Sequence, residues 1–135
     1  MVAALNIAIR EVLGPEAFYA FYVDHVDAMA ESKLIQSLLA GARRLFANNP
    51  AGYVRWLARA WDGTTRNMGK VEFVESEGRL QITYAGLPPE LCEPHMRDVI
   101  VASLDGISAK LAERPVITVD TSRFHAGDLV VTLEW

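Results

Sequence analysis

The stretch Pro50 to Phe73, PAGYVRWLARAWDGTTRNMGKVEF, constrains this chain more than any other. Asn48 or Asn49 can accept from free N–H groups at a helix start, and Pro50 suits the first helical position. At about 100° per residue, Tyr53, Val54, Trp56, Leu57, Ala60, Trp61 and Thr64 share one arc, and Arg55, Arg59 and Asp62 the other. Two tryptophans on one face are a large apolar load, which predicts that Trp56 and Trp61 sit at the centre of the core. After Gly63 the period changes, and Lys70-Val71-Glu72-Phe73 alternates as a strand does.

The rest of the chain falls into place around that helix and strand. Residues 2–13 read as a short helix with Leu5, Ile9 and Val12 on one face and only Asn6, Arg10 and Glu11 for water. A second helix, Pro15 to about Ala30, carries Phe18, Tyr19, Tyr22, Val23, Val26 and Met29, with His25 inside the same apolar arc. Ser32 caps a third helix running to about Ala47. Gly41 lies in the apolar arc of that helix at a cost of about 1 kcal/mol relative to alanine, which close approach of another backbone would offset. Strands follow at Lys70–Phe73 and Leu80–Tyr84 around the turn residues Glu75 to Gly78. A fifth helix spans about Glu93 to Glu113, with Met96, Val99, Ile100, Ser103, Leu104, Ile107 and Leu111 on one face, and Pro115 blocks its continuation. Two strands, Val116–Thr121 and Leu129–Trp135, close the chain. Four helices and then ββαββ predict an α+β domain: an antiparallel sheet with one face packed on helices.

At 135 residues the chain is expected to be a single domain. Its net charge of −4 argues against a nucleic-acid partner, although Arg43, Arg44, Arg55, Arg59 and Arg66 lie close in sequence. The single cysteine, Cys92, excludes an internal disulfide. No apolar run approaches the roughly 20 residues needed to span a bilayer, and the N-terminus has no basic n-region. A cytoplasmic protein without a membrane partner is expected.

Several short motifs carry a resemblance. Leu13-Gly14-Pro15-Glu16-Ala17-Phe18, Arg55-Trp56-Leu57-Ala58-Arg59-Ala60-Trp61, Gly69-Lys70-Val71-Glu72-Phe73, the Gly86-Leu87-Pro88 break and the ending Val131-Thr132-Leu133-Glu134-Trp135 resemble a myxobacterial paralogous family of unknown function. The layout is also similar to haem–nitric-oxide-binding and 4-vinyl-reductase-like sensory domains. The resemblance implies a bacterial sensory or regulatory module and supplies no catalytic residues. The chain lacks the Tyr-x-Ser-x-Arg motif of the haem-binding relatives, and it lacks the several cysteines common in the 4-vinyl-reductase-like domains. No cofactor and no metal are therefore expected.

The chemistry is sparse. Cys92-Glu93-Pro94-His95 has C-x-x-H spacing but no further ligand pair to complete a zinc site, and nothing orients a Cys92–His95 nucleophile. His95 and His125 fall at loop-like positions. His25 is an axial haem ligand, a ligand-polarising group or a satisfied core histidine; its place among Phe18, Tyr22 and Met29 predicts a buried, neutral ring. Phe18, Tyr22, His25, Trp56 and Trp61 are the candidate ligand-binding residues, aromatic core being the alternative. The expected function is a non-enzymatic binding module for an apolar small molecule or a protein partner. The rivals are an enzyme acting on a hydrophobic substrate in a helix–sheet pocket, with His25 as its polar group, and a purely structural interaction domain. The apolar first helix predicts a homodimer.

Overall fold

The computed structural model describes residues 2–64 and 69–135, with side chains over 4–60 and 69–135. The helices are α1 (Val2–Leu13), α2 (Pro15–Ala30), α3 (Lys33–Leu45), α4 (Pro50–Thr64) and α5 (Pro94–Ser108). The strands are β1 (Lys70–Ser76), β2 (Arg79–Ala85), β3 (Val116–Asp120) and β4 (Leu129–Glu134). This is the predicted α+β order.

The sheet is antiparallel throughout, in the order β1-β2-β4-β3. Its register stacks apolar residues in rows across one face. Phe73 opposes Ile82, Ile82 opposes Val131, and Val131 opposes Val119. A parallel row joins Val71, Tyr84 and Leu129. Alternation sends these side chains to one side, where Leu80, Ile82, Leu129, Val131 and Leu133 are fully buried. The other face carries Glu72, Gln81, Thr83, Thr118 and Glu134.

Local chemistry sets most helix ends. Asn49 Oδ1 accepts from the Gly52 N–H at 2.8 Å and caps α4. Ser32 Oγ accepts from the Ile35 N–H at 3.4 Å and caps α3. The third helix stops at Leu45 rather than Ala47, and α5 stops at Ser108 rather than Glu113. Beyond Ser108 the backbone tightens: the Lys110 N–H bonds Ile107 O and the Leu111 N–H bonds Ser108 O. Tertiary ties then take over, Arg114 to Asp105 at 3.0 Å and Trp135 Nε1 to the Glu113 carbonyl at 3.2 Å.

The fifth helix is buried on two sides. Met96, Ile100 and Leu104 join the main core with Tyr53, Val54 and the inner sheet face. Ala102 and Phe18 are equally buried but lie outside that cluster. Helix α2 approaches α5 at Gly106, where an added Cβ would stand 2.9 Å from Val26 Cβ.

Two predicted faces are rotated. In α4 the buried residues among those described are Ala51, Gly52, Tyr53, Val54 and Ala58, and Trp56 is 36 % exposed. Trp56 is thus not core. The arc turned inward is centred on Val54, and α3, which covers the Trp56 side, buries only Ala42. The side chain of Trp61 lies outside the described residues. In α1 the polar side faces inward: Asn6 is 5 % exposed, whereas Leu5 is 59 % and Val12 is 83 % exposed. The cause is hydrogen bonding, because Tyr22 Oη donates to Asn6 Oδ1 and Arg10 Nε pairs with Asp98 at 3.0 Å. The half-buried polar partners on α2 and α5 need α1's polar side more than they need its leucines.

A Cβ added at Gly41 would meet nothing within 4 Å, so no close backbone offsets the cost of glycine there. Gly41→Ala is therefore expected to raise unfolding stability in urea melts by about 1 kcal/mol. Gly106→Ala, driven into Val26, is expected to lower it by about 1–3 kcal/mol. Equal effects at the two sites would contradict this packing.

Candidate functional site

An apolar cavity of about 350 Å³ lies among the end of α2, the helices α3, α4 and α5, and the β1–β2 pair. Val26, Met29 and Ala30 come from α2, Ile35, Leu38 and Leu39 from α3, and Val71 and Tyr84 from facing positions of the hairpin. Helix α5 supplies Met96, Val99, Ile100, Ser103, Leu104 and Ile107 of its predicted apolar face, whereas Leu111 lies beyond the helix end and outside the lining. Tyr53, Ile100 and Leu104 are buried and form the floor; Met29, Leu38 and Trp56 are exposed and rim the mouth.

Polar groups in this lining are few. Ser103 Oγ donates to the Val99 carbonyl at 2.7 Å. Lys110 stands just past α5 and pairs with Asp27 of α2. Tyr53 Oη is buried without a hydrogen-bond partner among the described residues.

Of the candidate ligand residues, only Trp56 lines the cavity among the described side chains. Phe18 is buried and meets the Tyr22 ring edge-to-face at 5.1 Å, away from the cavity. His25 is exposed, not buried, with its ring parallel to Phe21 at 6.3 Å. The apolar arc of α2 is wider than α5 can cover. Val26 takes the position against Gly106, and the adjacent residue is turned about 100° toward solvent. Trp61 lies outside the described side chains.

The buried histidine is His95. It is the second residue of α5, not a loop residue, and is 3 % exposed with Nε2 lacking a partner among the described residues. Burial pushes its pKa below the ordinary value, and Arg10 adds to this against the opposing pull of Glu93 and Asp98. Cys92 Sγ donates to the Pro88 carbonyl at 3.4 Å and the Leu87 carbonyl at 3.7 Å. Burial raises its pKa, which disfavours the thiolate a nucleophile requires.

The arginines do not form one basic patch. Arg55 pairs with Glu75 at 2.8 Å, the Arg59 guanidinium lies 5.6 Å from the Phe73 ring centroid, and Arg66 lies outside the described residues. No group of three or more His, Cys, Asp or Glu among the described residues could hold a metal ion. No described helix is long and apolar enough to cross a membrane. No family model, curated protein or solved structure matches the chain.

The lowered His95 pKa has a defined consequence for stability. Below its ordinary value of 6.5 the unfolded chain binds a proton that the folded chain resists. The contribution is therefore complete above pH 6.5 and declines as pH falls toward the lower folded value. Urea melts at pH 7.5 and 5.5 are expected to show this loss in the parent and a smaller loss in His95→Gln. An identical pH dependence in both would remove His95 as its source.

Proposed function

We propose that this chain is a non-enzymatic regulatory or sensory module that binds an apolar small molecule in the cavity between α2, α3, α4 and α5. The observation that supports the reading is the cavity itself, open at a rim of Met29, Leu38 and Trp56 and lined almost wholly by apolar side chains. A well-packed domain leaves few voids larger than a water molecule. A cavity of about 150 Å³ takes up benzene, so about 350 Å³ suits a ligand of about two fused rings or a chain of similar bulk. The bacterial sensory modules that the chain resembles support the same reading, in a cytoplasmic setting.

The enzyme reading has lost its polar group, because His25 lies outside the lining. A solid interaction domain fits poorly with an open apolar chamber.

Calorimetric titration with naphthalene tests the proposal. The parent is expected to bind at micromolar concentration. Val99→Phe, which fills the chamber, is expected to abolish binding while melting within a few degrees of the parent. Absence of binding by the parent would sink the proposal.

The outward side of α1 supports a second element, association with another copy. Leu5 and Val12 form an apolar surface that the described chain leaves open. Light scattering at micromolar concentration is expected to give twice the 14.9 kDa chain mass, reverting to one chain in the Leu5→Lys/Val12→Lys variant. A parent that stays at the single-chain mass would refute the dimer.

A further inference from the structure

We infer that the ligand is a neutral amphiphile, an apolar body bearing one hydroxyl-type group, and that Asp27 is the residue that turns carboxylates away. This rests on the small-molecule reading above and specifies its chemistry.

Lys110 is the charged residue among those lining the cavity. Alone, its ammonium would draw an anionic head to the mouth. It is not alone, because Asp27 reaches across from α2 and pairs with it. A carboxylate arriving there meets attraction from Nζ and repulsion from Asp27 at similar range, so the two largely cancel. It would still surrender its water to an apolar chamber, the costly part of burying an ion. A hydroxyl surrenders far less. The pair also offers such a head both kinds of partner, N–H donors on Lys110 and carboxylate acceptors on Asp27.

Elsewhere in the lining, Ser103 makes the same selection. Its hydroxyl proton is committed to the Val99 carbonyl, which leaves Oγ with acceptor lone pairs. An acceptor suits a ligand O–H and repels a carboxylate oxygen. The net charge of −4 acts in the same direction at longer range.

Calorimetry on the full chain at pH 8 with decan-1-ol and decanoate tests the inference, the two sharing one tail and differing in head charge. The alcohol is expected to bind at least tenfold more tightly. Asp27→Asn leaves Lys110 uncompensated and is expected to raise decanoate affinity at least fivefold, with less than a twofold change for the alcohol. Adding Lys110→Met to Asp27→Asn is expected to erase that gain. Asp27 and Lys110 are both partly exposed, and melting curves verify that the variants are folded. Equal binding of the two compounds by the parent, or no decanoate gain in Asp27→Asn, overturns the inference. If naphthalene binds while the alcohol shows no preference, only the inference falls; if none of the three binds, the small-molecule reading falls with it.

Discussion

Helix α5 has to satisfy two neighbours at once, and the rest of the fold depends on how it does so. Toward the sheet it presents Met96, Ile100 and Leu104, which reach the in-register rows of the inner face. Toward α2 it presents small residues, and Gly106 lets Val26 come close enough that a methyl group would not fit. Bulk on one side and its absence on the other place α5 between the helical layer and the sheet. The same division leaves space beside Val99 and Ser103, where neither α2 nor the sheet closes fully on the helix.

Polar contacts then decide the orientation of the outer helix. A helical wheel of α1 puts Leu5, Ile9 and Val12 together and assigns Asn6 and Arg10 to water. The structure instead turns Asn6 inward, because Tyr22, half-buried on α2, takes Asn6 as its partner and Asp98, buried on α5, pairs with Arg10 as well as Arg97. Leaving such groups unpaired costs about as much as leaving a leucine in water, on the order of 1–3 kcal/mol each. Periodicity counts apolar residues and takes no account of this second demand.

Legibility in the sequence follows the same line. Element types, their order and the α+β class are readable because glycine, proline, asparagine and serine mark the ends and the period changes from helical to alternating after Gly63. The cavity-lining face of α5 is readable too, from Met96 to Ile107. The site as a whole is not, because a cavity is a relation between elements and has no period of its own. Aromaticity pointed to Phe18, Tyr22 and His25, which α2 spends on its contacts with α1 and on solvent. The buried histidine follows the Leu87-Pro88-Pro89 break and is the second residue of α5, where a loop-like reading of its position hides its burial.

The thin attachment of α3 bears on time rather than affinity. With Ala42 as its one buried residue, α3 belongs to the class of elements that open well before a domain unfolds. It also forms the outer wall of the cavity through Ile35, Leu38 and Leu39. If the cavity takes a guest as proposed, its residence time would follow the closing strength of α3, and the leucines along that helix would set how long an occupied state persists.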